Sequence, residues 1–400
     1  MNNNDRFSQY DTSVIDYIQL TTRDGTVYDI RNMLVEMNIY TSIFQTTMEA
    51  GLTLADSMNI ISNFPIVGGE KIEVRWRTAG KQTPNVSSLR VARIGQRFFQ
   101  ENKSAFQLDL VSEVEWLNSV KRLSRGWEAT HSDIIRDCIT ELGYELITDT
   151  PSAGITTFAS PMWSPLSVAK WALGSARDRH MSPMLLWEDV DGMHLSSTHY
   201  LKGQAPAYKL YESPTGFETA GEKVLYNVRE LEFGEAREVI SQRYEGLGGY
   251  TEHLYDFFTK GYNRNKRTYE NFFDSVNQMD SGKIQLGKVT TDSIHRPIFT
   301  RPDGRQMANS VRHFTDLSLR NNILRTTTIG DHESRVGAVI EFDVLSPQPL
   351  PDGQPRNERL IGGSHLVTGI RHILRPAMYL MVRELAKDSY NEKLEGVDND

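Results

Sequence analysis

The stretch TSIFQTTMEAGLTLADSMNIISNFPIVGGEKIEVRWRT, residues 41–78, decides the fold class of this chain. Apolar and charged residues alternate strictly over 72–77, which predicts a β-strand with one buried face. The glycine pair at 68–69 precedes this strand and predicts a turn, because glycine adopts positive φ without steric cost. A second alternating segment, 48–56, lies upstream. We therefore predict two antiparallel strands joined by the apolar connection 57–67.

The composition is that of a globular chain and not of a disordered or membrane-embedded one. Of the 400 residues, 38% are hydrophobic and 24% are charged. A chain of 45.6 kDa is too long for one core, so we expect roughly two to four domains. The net charge of −8 argues against a nucleic-acid binder that ignores sequence, because such proteins neutralise phosphates with a basic excess.

A single cysteine, Cys138, excludes an intrachain disulfide framework and is typical of a reducing cytoplasm. It falls on an apolar helical stripe, so we expect a buried, unreactive thiol. No apolar run reaches the roughly 18 residues that span a bilayer. The first residues also lack the basic and then apolar pattern of a signal peptide. These features predict no membrane insertion.

Strand signals punctuated by turns recur over 11–113 and predict an all-β barrel or sandwich. Asp24 and Gly25 mark a first hairpin, because Asp-Gly favours the tight turns that join antiparallel strands. Segments 89–94 and 104–111 predict another hairpin.

The pattern changes after residue 113, and residues 114–212 predict a mixed α/β domain. Thr130 and Asp133 have the spacing of a helix capping box and precede an apolar helical stripe. A second helix is predicted to begin at Ser164, which is followed by proline in the first turn. Segment 184–196 predicts a hairpin.

Strand-like alternation returns over 213–240 and again over 338–344. The segments 366–374 and 378–385 predict a terminal hairpin. Between these strand regions, residues 241–317 are polar and rich in aromatic residues and asparagine. They predict an inserted lobe without an assigned structure.

Three stretches together resemble the baseplate central hub proteins of contractile-tailed, T-even-type bacteriophages. The Gly-Gly-Glu opening at 68–70 is similar to the first tube-forming domain of these hubs. The Trp-Ser-Pro helix start at 163–165, the helix through Trp171, the Trp-acidic strand 186–189 and the pair 192–193 follow the order of the hub α/β part. The last part of the chain resembles the second barrel of the family at Gly330, Gly337, Ile340, Phe342, Thr368, Ile370, His372 and Tyr379.

The resemblance implies a mainly β fold with α+β parts, in which two small antiparallel β-barrel domains of the tube type accompany a mixed α/β domain and an inserted lobe. The implied division is a first tube domain at 11–113, the α/β domain at 114–212, a discontinuous second tube domain at 213–240 and 318–388, the inserted lobe at 241–317, and an acidic tail at 389–400.

The implied function is that of a structural virion protein without enzymatic activity or cofactor. As a homotrimeric central hub it would join the sixfold tail tube, or a tube-initiator protein, to a trimeric spike and would contact other baseplate proteins. DNA would pass through its bore without specific binding, and the acidic balance of the chain would disfavour trapping. The protein would reside in the tail baseplate of the virion after assembly in the host bacterial cytoplasm.

Three alternatives stay open at this stage. The first is the spike or hub of another contractile injection system, such as a type VI secretion apparatus. The short acidic segment after the last predicted strand favours the phage-type hub over it. The second is a tail-associated peptidoglycan hydrolase, and the third is a carbohydrate- or receptor-binding tail protein.

Candidate metal ligands lie around the predicted hairpin but lack a known motif. His194 and His199 are five residues apart, so an extended strand would direct them to opposite sides. Asp189 and Asp191 precede a glycine as in a calcium loop, but the glutamate that such a loop requires is missing. With Glu188 nearby, these residues predict a hairpin turn and no metal site.

Candidate catalytic residues are equally isolated. The segment 330–333, Gly-Asp-His-Glu, has a general-acid candidate, yet a solvated loop is the simpler interpretation. His372 lies in an alternating strand and predicts a structural histidine. The carboxylate pairs 113/115 and 392/395 have no cleft assigned to them and predict solvated faces.

The best local nucleic-acid candidate is the segment 260–267, Lys-Gly-Tyr-Asn-Arg-Asn-Lys-Arg, where cations and an aromatic residue interleave. The alternative is an exposed loop that contacts a protein or nothing, and the acidic charge of the whole chain favours that alternative.

Overall fold

The computed structural model describes residues 13–56, 66–100, 103–212, 221–234, 239–256, 259–284, 294–299, 305–320, 322–344, 358 and 361–391. No helix within these ranges combines the length and the apolar character that a bilayer crossing requires.

The β-strands of this part of the chain are β1 Ser13–Thr21, β2 Val27–Asp29, β3 Leu34–Ser42, β4 Glu49–Asp56, β5 Lys71–Thr78, β6 Asn85–Gln100, β7 Lys103–Ser112, β8 Gly126–Thr130, β9 Leu146–Thr148, β10 Ile155–Ala159, β11 Met184–Asp189, β12 Gly192–Ser197, β13 Tyr208–Tyr211, β14 Glu230–Phe233, β15 Gly249–Asp256, β16 Gly261–Thr268, β17 His295–Phe299, β18 Asn322–Ile329, β19 Val339–Asp343, β20 Gly363–Arg375 and β21 Met378–Lys387.

The α-helices are α1 Glu113–Val120, α2 His131–Glu141, α3 Pro165–Ser175, α4 Thr198–Lys202, α5 Val239–Glu245, α6 Tyr269–Phe273 and α7 Arg305–Leu319. Short 3₁₀ helices span Arg31–Met33 and Gly221–Tyr226.

Thirteen of the described strands form one long sheet. Its main path runs β14-β18-β21-β20-β3-β4-β7-β6-β5-β1-β2; off this path, β19 pairs with β20, and β13 pairs with β19. β3 pairs antiparallel with β20, from Ser42 opposite Gly369 to Met37 opposite Leu374. Strands of both implied tube domains therefore belong to one hydrogen-bonded sheet.

The mainly β class is confirmed, because strands make up 49% of the structure and helices 21%. The expectation of two small closed barrels is not confirmed, since no sheet of the described residues closes into a barrel. The long sheet stays open between β14 and β2.

The two strands predicted in the opening stretch both form, as β4 and β5, but they do not pair with each other. β4 lies between β3 and β7, and β5 lies between β1 and β6. The predicted pairing was wrong because alternation determines which side of a strand is buried, and it does not determine which neighbours occupy its edges.

The predicted hairpins are confirmed. β1 and β2 pair around Gly25, which adopts a positive φ of 85°. β6 pairs with β7, β11 with β12, and β20 with β21, all antiparallel.

The largest hydrophobic core lies against one side of the long sheet. On β5, Ile72, Val74 and Trp76 are fully buried while the charged residues between them stay partly exposed. The same core continues into β18–β21 through residues such as Leu324 and Phe342. The alternation predicted over 72–77 is thus confirmed, and burial of this apolar face stabilises the sheet.

A second core joins α2 and α3 to β11 and β12. The predicted helix cap is confirmed, because the Thr130 hydroxyl accepts a hydrogen bond from the Asp133 amide at 3.2 Å. Pro165 occupies the first turn of α3. Cys138 is fully buried in this core, as the sequence predicts.

The segment 241–317 contains a third core, which packs Tyr250 of β15 against Tyr269 and Phe272 of α6 and Phe314 of α7. β15 is the centre of a small sheet, with β16 antiparallel on one side and β17 parallel on the other. These elements were not assigned from the sequence.

Candidate functional site

One row of side chains crosses adjacent strands of the long sheet, from β18 at one end to β1 at the other, on the side that faces solvent. In each strand pair the register places one member of the row directly opposite the next, and none of the members is buried. The row runs Thr327, Val382, Arg371, Tyr40, Glu49, Val111, Arg90, Lys71 and Thr21. We call the solvent side of the long sheet that carries this row the polar face.

Opposite charges neutralise each other where the two halves of the sheet meet. Arg375 of β20 binds Glu36 of β3 at 2.6 Å, and the Arg371 Nε donates to the Asn38 side-chain oxygen at 2.8 Å. The Asn38 amide and the Arg375 guanidinium together hold the pKa of Glu36 below its usual value. Arg371 also lies over the Tyr40 ring, 5.7 Å from its centroid. The seam between β3 and β20 is therefore tied by polar side chains as well as by backbone hydrogen bonds.

Opposite charges are also paired in the part of the polar face formed by β6, β5 and β1. Arg90 binds both carboxylate oxygens of Glu113, at 2.7 and 2.8 Å. Asp16 lies 3.3 Å from Arg75 and 3.7 Å from Arg77. Each of these two carboxylates thus lies beside an arginine.

A cavity of about 710 Å³ opens on the polar face at the seam. Its walls include Tyr40, Phe44, Arg325 and Glu384, and Phe44 is 56% exposed. The Arg325 and Glu384 side chains face each other at 3.5 Å. An exposed aromatic side chain beside a polar cavity is a feature of protein contact surfaces.

The other side of the long sheet contains a buried polar cluster around the loop that follows β18. The Lys81 ammonium lies 2.8 Å from Asp331 and 2.6 Å from Glu333. Burial lowers the pKa of Lys81, but the hydrogen bonds from Asp331 and Glu333 outweigh it and raise that pKa above the ordinary value. The His332 Nδ1 accepts from the Thr78 amide at 3.1 Å. The loop predicted as solvated, 330–333, is instead bound to the end of β5.

Arg383 is the largest charged side chain in this cluster and is fully buried. Its guanidinium donates to the Thr328 hydroxyl at 2.5 Å, the Ser334 hydroxyl at 2.9 Å and the Tyr208 hydroxyl at 3.1 Å. Arg383 is not among the residues predicted from the sequence. The sequence does contain a signal for it, because Arg383 occupies a core-facing position of β21, between the buried residues Met381 and Leu385.

Several positions that carry the resemblance meet in the same core. A Cβ added to Gly330 would lie 2.2 Å from the Tyr379 ring, so only glycine fits there. The Tyr379 hydroxyl lies 2.7 Å from the His372 Nδ1, and the Trp76 ring packs edge-on against His372. Burial lowers the pKa of His372 to about 3, so its imidazole is neutral.

The remaining positions of the resemblance have related roles. Gly337 has a φ of 82° and faces the Trp187 ring, which an added Cβ would approach to 3.2 Å. The Thr368 hydroxyl donates to the Glu384 carboxylate at 3.0 Å. Ile340, Phe342 and Ile370 lie in the core.

The acidic pair of β11 attaches the α/β region to the long sheet. The Glu188 carboxylate accepts from the Met48 amide at 2.9 Å, and the Asp189 carboxylate accepts from the Val336 amide at 3.2 Å. Burial raises the pKa of Glu188 to about 7 and that of Asp189 to about 6. Both carboxylates bind backbone amides of the long-sheet region.

The structure brings two of the candidate metal ligands, Asp191 and His194, into contact, but it does not assemble the full set. His194 lies 2.9 Å from Asp191 and stacks on Trp187. His199 instead stacks on His180, with ring centroids 4.1 Å apart, and lines a separate cavity of about 720 Å³. Within the described ranges, no group of three or more histidine, cysteine or acidic side chains has the arrangement of a metal site.

The other candidates are also separated. Burial raises the pKa of the Cys138 thiol to about 12, so it is protonated. Glu113 binds Arg90 and does not face Glu115 as a catalytic pair would. The pair 392/395 lies outside the described residues.

No protein-family model matches the chain, and no curated protein matches it in sequence. Its fold matches the tail protein from Neisseria meningitidis MC58, with a TM-score of 0.57 and 11% identity over 93% of this chain and 96% of that one. It also matches the 43 kDa tail protein of prophage MuSo2 from Shewanella oneidensis, with a TM-score of 0.59 and 13% identity over 94% of this chain and 99% of that one.

A third solved structure with this fold is the Francisella PdpA–VgrG complex, half-lidded. The TM-score is 0.52 and the identity 10%, over 95% of this chain and 58% of that chain. At the level of fold, these neighbours confirm the resemblance to phage tail proteins and to spike proteins of injection systems.

Proposed function

We propose that this chain is the central hub of a phage tail baseplate, a homotrimer that joins a sixfold tail tube or tube-initiator protein to a threefold spike. In this proposal the chain is a structural component of the virion and has no enzymatic activity. It contacts other baseplate proteins, assembles in the host bacterial cytoplasm and lines a channel for DNA.

The observation that carries the proposal is the open long sheet. Its two ends are different strands, β14 and β2. Copies that join unlike edges head to tail form a closed ring when the rotation per copy divides the circle. Exposed sheet edges are otherwise a liability that proteins cover. On β14, Phe233 is 65% exposed, which supports an apolar contact at that edge.

The polar face suits the wall of a DNA channel in this proposal. Its charges are paired across strands, as between Arg375 and Glu36 and between Arg75 and Asp16. Paired cations hold fewer phosphates than free ones, because their counterions are already the neighbouring carboxylates. Such a wall would let DNA pass without binding it specifically.

We further propose the domain division inferred from the resemblance: tube domains at 11–113 and at 213–240 with 318–388, an α/β domain at 114–212, an inserted lobe at 241–317 and a tail at 389–400. The three hydrophobic cores support this division in part. One lies against the long sheet, one within the α/β range and one within the lobe.

The test is the mass of the purified chain in solution by light scattering. A trimer has a mass of about 137 kDa, three times 45.6 kDa, and electron microscopy of it should show a ring with a central hole. The variant Phe233→Asp should reduce the trimer fraction. Ile155→Asp, a substitution at a residue 74% exposed on β10 outside the long sheet, is the matched control and should not.

A monomer at micromolar concentration that stays monomeric when a trimeric spike is co-expressed would refute the hub proposal. Clearing of a suspension of purified cell walls by the well-folded chain would refute the structural role and support a hydrolase.

A second candidate function is the spike or hub of another contractile injection system. The similarity to the Francisella PdpA–VgrG complex favours it, although the matched chain of that complex is covered only to 58%. Co-expression of the chain with a phage tube protein, and separately with a secretion-system tube protein, would distinguish the two candidates by which partner co-purifies.

A further inference from the structure

Two histidine side chains meet on the exposed side of the small sheet formed by β15, β16 and β17. His253 lies on β15 and His295 on β17, and these two strands pair in parallel. The register sets Thr251 opposite His295. His253 follows Thr251 by two residues and therefore lies on the same side of β15, which makes the two imidazoles diagonal neighbours. We call His253 and His295 the histidine pair.

The ring nitrogens of the histidine pair face each other. The His253 Nε2 lies 2.8 Å from the His295 Nδ1, and the ring centroids are 5.0 Å apart. A neutral imidazole carries its proton on one nitrogen and a lone pair on the other. When both rings carry their protons on the outer nitrogens, two lone pairs converge on one point. That arrangement is repulsive by itself and is stabilised by a cation between the rings.

Tyr262 of β16 contacts the outer nitrogen of His253. The Tyr262 hydroxyl lies 2.7 Å from the His253 Nδ1 and can accept a hydrogen bond from it. A hydrogen bond of this kind fixes the tautomer, because the proton on Nδ1 leaves the lone pair on Nε2. Histidines that bind metal ions almost always have such a partner for the second nitrogen. The contact with Tyr262 thus directs the free lone pair of His253 toward His295.

We propose that the histidine pair binds a divalent transition-metal ion, with the His253 Nε2 and the His295 Nδ1 as ligands. Two nitrogens at about 2.0 Å from one ion are about 2.8 Å apart at a right angle and about 3.3 Å apart at the tetrahedral angle. The observed separation of 2.8 Å therefore fits neighbouring positions of a tetragonal site, the geometry of Cu²⁺ and Ni²⁺. Mg²⁺ and Ca²⁺ are disfavoured because they prefer oxygen ligands.

The histidine pair would supply two ligands only. Among the described residues, no group of three or more histidine, cysteine or acidic side chains is placed to hold a metal ion. His295 is exposed and His253 is partly exposed, so an ion has a path from solvent to the pair. Water or a side chain of another molecule has access to the remaining positions. The expected site is therefore an open surface site and not a closed structural one.

A hydrogen bond between two neutral imidazoles is the simpler interpretation of the same distance. The two interpretations differ in the presence of a metal ion, because a hydrogen-bonded pair that binds no ion leaves the chain unchanged by it. The proposal goes beyond the hub function, because the small sheet is separate from the long sheet and its polar face.

The test is a titration of the tag-free full chain with Cu²⁺ in competition with a chromophoric chelator of known affinity. We expect one Cu²⁺ per chain, and weaker binding of Ni²⁺ and Zn²⁺, as the usual order of affinities for nitrogen ligands requires. Electron paramagnetic resonance of the Cu²⁺ complex should show coupling to imidazole nitrogens. Excess Cu²⁺ should also raise the midpoint of thermal unfolding, because an ion that binds the folded chain stabilises it.

Variants assign the binding to the histidine pair. His253→Gln and His295→Gln should each weaken Cu²⁺ binding at least about tenfold. Tyr262→Phe keeps the ring, removes only the hydroxyl and should also weaken binding about tenfold, since partners of metal ligands typically change metal affinity by about 10–100-fold. The matched control is His180→Gln, at an exposed histidine whose Nε2 accepts a hydrogen bond from Arg179 at 3.0 Å. This control should leave Cu²⁺ affinity unchanged, and circular dichroism verifies the fold of every variant.

Three results would each overturn the proposal. One is Cu²⁺ binding that is absent, or equally tight, in the parent chain and in both His253→Gln and His295→Gln. Another is a resonance spectrum of the parent chain without imidazole coupling, and this measurement is decisive even where a variant fails to fold. The third is an equal loss of affinity in His180→Gln. The trimer mass does not depend on any of these outcomes, so failure here leaves the hub proposal intact.

Discussion

The long sheet and the small sheet both contain ion pairs, but these pairs lie on the exposed side of the long sheet and on the covered side of the small sheet. On the polar face of the long sheet, cations and carboxylates lie on the same side and neutralise each other across strands, as Arg375 and Glu36 do. On the small sheet, Glu252 lies on the covered side with Arg267, and Arg264 lies on the exposed side. The same two-residue period thus places the ion pair of Glu36 on an exposed side in one sheet and the ion pair of Glu252 on a covered side in the other.

The difference follows from the side of the strand on which each acidic residue lies. Glu36 of β3 and its cationic partner Arg375 of β20 both point to the solvent side of the long sheet. On β15, Glu252 points to the covered side of the small sheet, and Arg267 of β16 binds it there. An ion pair in the interior is costly to break, while a pair in water contributes little. We therefore expect substitutions at the two kinds of ion pair to change the free energy of unfolding by amounts that differ by several kcal/mol.

The largest expected effect is from Arg267→Met on the covered side of the small sheet. The substitution leaves the fully buried Glu252 without its cation, and such a loss costs about 3–5 kcal/mol of unfolding free energy. Chemical denaturation measures it. The matched control is Arg264→Met on the exposed side of the same strand, which should change stability by less than about 0.5 kcal/mol. Equal losses of unfolding free energy in both variants would contradict the distinction between the covered and the exposed side of the small sheet.

The second prediction concerns the covered side of the long sheet, where glycine meets an aromatic ring. Gly330→Ala places a Cβ against the Tyr379 ring, and relief of that clash requires the ring or the loop to move, at a cost of about 3 kcal/mol. Gly174→Ala on α3 has nothing within 4 Å of its new Cβ and should be neutral or stabilising. Unfolding in urea compares the two, and a neutral Gly330→Ala would show that this contact is not tight.

The third prediction is a pH dependence that arises at the contact between β11 and the long sheet. Burial raises the pKa of Glu188 from 4.5 to about 7, so between these values the folded chain binds more protons than the unfolded chain. The contribution of Glu188 to unfolding free energy should therefore fall as pH rises from 4.5 to 7, by at most about 3 kcal/mol. Glu188→Gln should remove this slope and be more stable than the parent chain at pH 8.

The control for that slope is Glu36→Gln on the polar face. The folded-state pKa of Glu36 is lowered, so its contribution to stability is present above pH 4.5 and is lost as pH falls. The two variants should thus change the pH profile of thermal unfolding in opposite directions. A common direction would contradict the assigned burial of Glu188.

The smallest expected effect is at the ion pair between Arg375 and Glu36. Their side chains are 48% and 23% exposed, so a double-mutant cycle should give a coupling energy of about 0.5 kcal/mol. High salt should reduce it further, because exposed charges are screened. A coupling of several kcal/mol would show that the seam depends on this pair and not mainly on the β3–β20 backbone hydrogen bonds.

Much of the local structure could be predicted from the sequence, because it depends on neighbours along the chain. Alternation over 72–77 predicts the buried face of β5, and Thr130 with Asp133 predicts the start of α2. Asp24 with Gly25 and Asp191 with Gly192 predict two of the hairpins. The close packing of Gly330 against the Tyr379 ring was not predicted, although both residues are positions of the resemblance.

The polar cluster beneath the long sheet could not be predicted in the same way. Lys81 and Asp331 are 250 residues apart in sequence, and nothing local relates them. Arg383 had a visible signal, a charge in the inward phase of an apolar strand, but its partners come from β13, β18 and the loop after β18. The basic segment 260–267 is visible in the sequence, whereas the side chains of β15 that lie opposite it depend on strand pairing.

Outside the lobe 241–317, the sequence by itself determined many of the strands and helices and which side of each is apolar. These properties follow from backbone sterics and from a period of two or 3.6 residues. Only the tertiary structure decided that β3 pairs with β20, that β4 and β5 lie apart, and which charges meet their opposites. The physical reason is that a strand edge offers the same backbone donors and acceptors to any partner, so the partner is chosen by the packing of the whole core.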